Sequence, residues 1–502
     1  MIRAALILVT PACSCFADTL LLTSGEKLVG KILSEDASRI VIESAALGKI
    51  EVPRDRVQRL EKEQEAATAA APVPGAQEPP TSAAVSGPSA AEATTPEKED
   101  DYFFRMYWDE GLRYQLSQPI NVPIPFTEGK RTVGEEVSVS GRLGLRLSLD
   151  AAAFSSTGGE PPLPSDFDVR TFRLYTSGEF GLSKRWLYAV QFGSVSGSFY
   201  LHEAYLRRPG VEYLGNITFG YFKVPQTLDN IYPFGGRNFM EAASPSLAFA
   251  PGNRMGVQID RTFHDDRVTA TVGIFSLGAD PGLDFGDTTQ SLVRPTFRVT
   301  GLPVVDEQGK YGRRLLHLGV SASYVLARES EIQYRARPES FLAPYLADTG
   351  QIKATYAFVG GLEALYIDGP LTLQGEFVGS SVEGDVDRYY FNGYYLSGSW
   401  FLTGEERPYD KAAASVGHIK PRADFSWKNK TWGAWEMGLR YSRLNLNSGA
   451  IRGGDMGVIN LGLNWYWSRY VRWQLNYEHA KVDEGPLPGT LHIIQGRLQL
   501  MY

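Results

Sequence analysis

A period of two residues, repeated through long aromatic segments, constrains this chain more than any other feature. In 471–478, Val471, Trp473, Leu475 and Tyr477 share one parity, and Arg472, Gln474, Asn476 and Glu478 share the other. In 459–467, Ile459, Leu461, Leu463, Trp465 and Trp467 oppose Asn460, Gly462, Asn464 and Tyr466. Val137, Val139, Leu143, Leu145, Leu147 and Leu149 oppose Arg142 and Arg146, and Ile494, Leu498, Leu500 and Tyr502 oppose Gln495, Arg497 and Gln499. Successive side chains of a strand point to opposite faces, so each segment has an apolar face and a polar one. In a soluble sandwich the apolar face would meet a second sheet. Long strands that end in Trp or Tyr and carry ions on the second face favour another solution, an antiparallel transmembrane barrel with lipid outside and water inside. A last strand closing on an aromatic, here Tyr502, is expected of such a barrel.

The bulk numbers agree. No run of 18 apolar residues occurs in the 502, and mean hydropathy is −0.21, so no helix is predicted to span a membrane. A barrel escapes that test, because its two faces average out in any hydropathy window. The 26 Tyr, 25 Phe, 9 Trp and 52 Gly suit strands, tight turns and interfacial girdles. A net charge of −7 gives no reason to expect a nucleic-acid partner. Arg3, the apolar run Ala4 to Val9 and Cys15-Phe16-Ala17 predict a secretory signal peptide over 1–17. The alternative, acylation of Cys13 or Cys15, fits poorly with the preceding Thr10-Pro11-Ala12. Both cysteines fall in the signal, and the six histidines are scattered. There is no Gly-rich phosphate loop and no Ser/His/Asp grouping, so neither catalysis, a metal nor a cofactor is expected.

Three regions follow the signal. Residues 18–61 contain short β-rich runs broken by turn residues and predict a small periplasmic β domain, loosely similar to SH3-like or Sm-like barrels. Residues 62–100 are rich in Ala, Pro and Glu, a composition expected of a disordered linker. Residues 102–502 carry the barrel pattern. Seventeen strand-like runs can be counted from 135, but a single-chain bacterial barrel needs an even number. Tight turns at Asp368-Gly369, Ser468-Arg469 and His264-Asp265-Asp266 belong on the periplasmic side, and the long connections 152–167, 225–252, 328–351 and 482–489 on the outside. The alternation holds only if 417–428, which contains Pro421, is not a strand. Sixteen strands remain, with 402–430 as a long periplasmic connection and 225–252 following the fifth strand.

Several segments resemble the phosphate-selective porin O and P family. They are Gly220-Tyr221-Phe222-Lys223-Val224-Pro225, Phe239-Met240-Glu241, the run from Ala248 to Gly256, the run from Phe401 to Tyr409, and Gly433-Ala434-Trp435-Glu436 with Leu439-Arg440-Tyr441-Ser442. The resemblance covers roughly 102–502. It implies a homotrimer of sixteen-stranded barrels in the outer membrane of a Gram-negative bacterium, with 225–252 folded into each pore as the constriction. In phosphate-selective members, basic side chains line the pore. Alternation here turns Arg142, Arg146, Arg173, Arg294, Arg298, Arg440, Arg472 and Arg497 inward. Lys223 and Arg237 fall at the constriction or its edge, Arg254 closes it, and Glu203 is among the inward acids. Any one of these arginines could equally pair with an acid on a neighbouring strand. Two departures weaken dedicated phosphate selectivity: Thr171 replaces one of two adjacent arginines, and Glu203 replaces an Asp. The expected function is passive diffusion of small hydrophilic solutes or ions through the lipid-embedded barrel, with a mild anion preference. The alternatives are a dedicated phosphate or polyphosphate porin, and a structural or adhesive barrel whose 18–61 domain holds a periplasmic or cell-wall partner.

Overall fold

The computed structural model describes residues 18–22, 27–35, 39–44, 48–54, 57–61, 103–109, 111–123, 132–157, 164–182, 184–195, 198–233, 235–276, 293–485 and 487–502. The signal 1–17 and the linker 62–100 lie outside them. The chain divides into two units, Met1–Thr95 and Pro96–Tyr502. In the first, β1 (Asp18–Leu22), β2 (Lys27–Glu35), β3 (Arg39–Ser44), β4 (Gly48–Pro53) and β5 (Val57–Glu61) form one antiparallel sheet in the order β4-β3-β2-β1-β5.

The second unit opens with a hairpin, β6 (Phe103–Trp108) and β7 (Leu112–Pro123), followed by β8 (Thr132–Thr157), β9 (Asp166–Leu182), β10 (Lys184–Val195), β11 (Ser198–Val211) and β12 (Gly215–Lys223). A long connection holding α1 (Leu228–Ile231) and α2 (Ser244–Phe249) leads to β13 (Asn253–Phe263), β14 (Val268–Ser276), β15 (Val293–Gly309) and β16 (Gly312–Ile332). The short pair β17 (Arg335–Ala336) and β18 (Ala347–Asp348) precedes β19 (Ile352–Asp368), β20 (Leu371–Gly384) and β21 (Arg388–Phe401). A second short pair, β22 (Tyr409–Asp410) and β23 (Ser415–Val416), precedes β24 (Ala434–Ser448), β25 (Ile451–Tyr466), β26 (Val471–Asp483) and β27 (Gly489–Met501).

Each barrel strand pairs antiparallel with the next, and β27 pairs with β8 from Thr490↔Thr157 to Met501↔Arg146. The ring therefore has sixteen strands, and 417–428 is not one of them. Two expectations need adjusting. The β6–β7 hairpin stands outside the ring: β7 pairs with the lower half of β8, along the edge that β27 occupies above it. The barrel proper thus begins at β8 rather than near 102. The strands also run further into the external connections, so that β8 and β9 leave only 158–165 between them.

The predicted parity holds on the outer wall, where Leu362, Leu396 and Ile494 are more than half exposed and face lipid. The inner wall is not polar throughout. Toward the external end, Val359, Val378, Val382, Leu444, Met456, Val458, Val482 and Ile493 are buried beneath Phe249 of α2 and Tyr334, Ala336 and Leu346 of the 333–351 connection. Lower down, Val416 of the 402–433 connection packs with Leu228 and Tyr232 against Leu302, Leu315, Leu365 and Ile367 of the wall. Loops from both ends thus fill the lumen along β15–β27. The open space is left against β8–β12.

Candidate pore constriction

That space is a cavity of about 720 Å³, lined by β8–β12, by the 224–252 loop and by the inner faces of β26 and β27. Two bulges shape its wall. On β9 the pairing steps from Val169↔Leu149 to Thr171↔Ser148 and skips Arg170. On β11 it steps from Leu201↔Phe192 to Glu203↔Gln191 and skips His202. A bulge re-aims side chains that strict alternation would send the other way. Arg170 and His202 therefore join Arg173 and Glu203 on the cavity wall.

The loop is held by charge. Glu241 accepts two hydrogen bonds from Arg170 at 2.8 and 3.0 Å and one from Arg497 at 2.7 Å. Arg497 also grips Asp150 through two 2.7 Å bonds and donates to the Met240 carbonyl at 2.6 Å. Burial pushes the Glu241 carboxyl up, but the two guanidiniums more than offset it and hold the group well below the usual carboxylate range. Arg472 donates to the carbonyls of Gly235 and Arg237, and Arg407 to that of Gly236. Glu376 of β20 accepts from the backbone N–H of Leu228 at 2.6 Å and of Asp229 at 2.8 Å, satisfying donors that the short α1 leaves open. Glu339, fully buried in the 333–351 connection, accepts from Arg440, Ser442, Asn460 and the N–H of Ser244 at the start of α2.

The predicted lumen residues therefore separate. Arg146, Arg173, Lys223, Arg237, Arg472, Arg497 and Glu203 line the cavity together. Of these, Arg472 and Arg497 also carry the loop. Arg440 lies behind it on Glu339, and Arg298 is buried against Glu363 and the Ala414 carbonyl. Neither lines the cavity. Arg142 sits lower on β8, donating to the Tyr175 hydroxyl at 2.8 Å. Arg294 donates to Gln226 at 3.3 Å and Arg254 to the Asn253 carbonyl at 2.8 Å, both apart from the cavity lining. Across from the loop anchors, Arg146 lies 4.6 Å over the Tyr175 ring, and Lys223 Nζ donates to the Tyr232 carbonyl at 2.6 Å. Arg237 contacts Asp229 at 3.2 Å. Among the described residues, seven cationic side chains line the cavity against two carboxylates, Glu203 and Glu241.

The profile of the phosphate-selective porin O and P family matches residues 142–502 of this chain. The chain belongs to that family. It is an outer-membrane β-barrel of the porin type, and the matched segment begins within β8, the first strand of the closed ring. Porin O of Pseudomonas aeruginosa is 26% identical over 261 residues, covering 46% of this chain and 56% of the relative. An uncharacterized protein of Caulobacter vibrioides is 26% identical over 272 residues, 52% of each chain. The chain spans about half the length of the curated relatives it matches. Among solved structures, OmpT, an outer membrane protein of Vibrio cholerae, matches with a TM-score of 0.46 at 9% identity, covering 72% of this chain and 98% of that one.

Strict alternation missed Arg170, because one extra residue in the strand reverses its direction. It also passed over Glu241, Glu339 and Arg407, which lie in connections where no periodicity applies. The one sequence signal for Glu241 was its place in Phe239-Met240-Glu241, within the family-like stretch.

Proposed function

We propose that the protein is a passive channel, not an enzyme, that admits small hydrophilic solutes and ions through the outer membrane with a mild preference for anions. The observation that carries this reading is the excess of cationic side chains around the 720 Å³ cavity. Charge-assisted hydrogen bonds from guanidinium and ammonium groups replace the hydration an anion loses at a narrow point. Spreading them over Arg146, Arg173, Lys223 and Arg237 offers successive holding points, which lets the ion leave again. Glu203 among them tempers the field and argues for a broad channel over one dedicated to phosphate. A homotrimer is part of the proposal, in line with the family resemblance. So is a periplasmic placement for 18–61, joined to the barrel by the 62–100 linker and available to a periplasmic or cell-wall partner.

Purified protein in a planar bilayer tests the reading. Discrete conductance steps are expected, with a reversal potential in a salt gradient on the anion side. Replacing Arg173 and Lys223 together by Ala should move that potential toward the cation side. A protein that inserts but conducts nothing would sink the channel, and an unchanged potential would remove the cavity's role in selectivity. Deleting 18–100 should leave the conductance as it was.

A further inference from the structure

The 402–433 connection does more than fill the lumen. After Ile419 it leaves the interior, and 424–432 folds as a short tongue closed by backbone bonds between Ser426 and Thr431. Phe425 is its hub, 5.1 Å from Trp427, 5.4 Å from Trp465 and 5.4 Å from Trp467 between ring centroids. Trp435 stacks on Trp465 at 4.9 Å, and the Trp465 indole N–H donates to the Trp432 carbonyl. Trp435, Trp465 and Trp473 lie at the periplasmic ends of β24, β25 and β26, just below the apolar band of Met437, Leu461 and Leu475. The tongue therefore lies on the outer wall at the height of the periplasmic-leaflet headgroups.

Two independent features meet there. The first is charge on aromatic ground. Trp427 and Trp432 remain 76% and 55% exposed, and Lys428 and Lys430 project from the same turn. Residues 420–430 carry Lys420, Arg422, Lys428 and Lys430 against the single acid Asp424. The second is a groove of about 520 Å³ on the outer wall, which starts at Trp435, Trp465 and Trp473 and continues past Leu498 and Gly496 to Phe167. Its lining is almost wholly apolar side chain, and small residues, Gly496 and Ala151, deepen it. A cationic, aromatic surface at headgroup height with an apolar groove leading up from it has the chemistry of one amphiphile. We propose that the 424–432 tongue and this groove form a binding site for an anionic glycerophospholipid of the periplasmic leaflet. Its phosphate lies on Lys428 and Lys430, its glycerol region on Trp427 and Trp432, and an acyl chain in the groove.

The test is native mass spectrometry of the full chain in detergent, titrated with phosphatidylglycerol or phosphatidylcholine of identical chains. The wild type should retain phosphatidylglycerol several-fold over phosphatidylcholine. Lys428→Gln with Lys430→Gln should abolish that preference while leaving a residual, charge-independent retention. Gly496→Leu fills the groove, and a Cβ there meets nothing closer than the Gln474 carbonyl at 3.7 Å. This variant should reduce retention of both lipids. Unchanged heat-modifiable migration on gels identifies variants whose barrel has folded. Equal retention of the two lipids by the wild type would overturn the proposal, as would a preference that survives the double lysine variant. A double variant that dissociates the oligomer with lipid retention unchanged would assign the surface to a second copy instead.

Discussion

Single side chains here act mainly by holding the constriction loop, and Glu241 is the clearest case. Its carboxylate joins Arg170 of the wall to Arg497 of the closing strand, and it is nearly buried. Glu241→Gln would take the carboxylate from Arg170 and leave Arg497 with Asp150 alone, a defect expected to cost about 3 kcal/mol. The pH dependence follows from the direction of its shift. The folded-state value lies below the unfolded reference of 4.5, so the stabilisation is complete above that reference and is lost as pH falls beneath it. Melting followed by circular dichroism between pH 6 and pH 3 should show that loss in the wild type and a flatter profile in Glu241→Gln. Equal slopes would mean that the loop does not depend on this carboxylate. The inward set that alternation picks out held only part of this machinery and did not sort it: Arg497 and Arg472 hold backbone, whereas Arg146 and Arg173 face the opening across from them. Which role an inward arginine takes depends on what a distant loop places before it.

At the level of elements, three inserted connections fill the lumen, 224–252 and 333–351 from the external end and 402–433 from the periplasmic end. The 224–252 loop depends on Glu376, which caps its first helical turn from the far wall. Glu376→Ala strands two backbone donors and should cost about 1–3 kcal/mol. Single-channel records should become noisier as the loop loosens; a quiet trace at wild-type conductance would refute this anchoring. The periplasmic connection sends β22 and β23 into the lumen, with Tyr409 on His317 at 2.7 Å and Lys411 on Glu307 at 3.0 Å. Replacing 409–416 with a Gly-Ser segment of equal length should raise conductance and keep the anion preference, because none of the cavity cations belongs to that segment. A constant conductance would show that this hairpin does not limit the flow. A long connection over 402–430, found at 402–433, followed from counting strands, since an odd number cannot close an antiparallel ring. Its path through the lumen and out onto the wall could not be read, because connections carry no period.

For the whole molecule, the lining charge acts as a field, and fields are screened. The Debye length is roughly 8 Å at 0.15 M salt and 3 Å at 1 M. The anion-to-cation permeability ratio should therefore decline steadily as salt rises, while conductance increases. A ratio independent of salt would point to direct coordination at one site instead. The closed ring is the part most plainly written in the chain. Its strands alternate because lipid and lumen impose opposite chemistry on successive residues, and the long 224–252 segment falls after the fifth strand, β12.

By itself, the sequence determined the barrel and the strand number, which depend on local periodicity and strand parity, and its motifs pointed to the family. Only the tertiary structure decided which part of the lumen stays open. It did so through two bulges that turn Arg170 and His202 inward, and through ion pairs between residues as far apart as Asp150 and Arg497. The physical reason is that periodicity reports the solvent on either side of a strand. A pore's width is set by which loops fold back inside, and their burial is stabilised by partners hundreds of residues away.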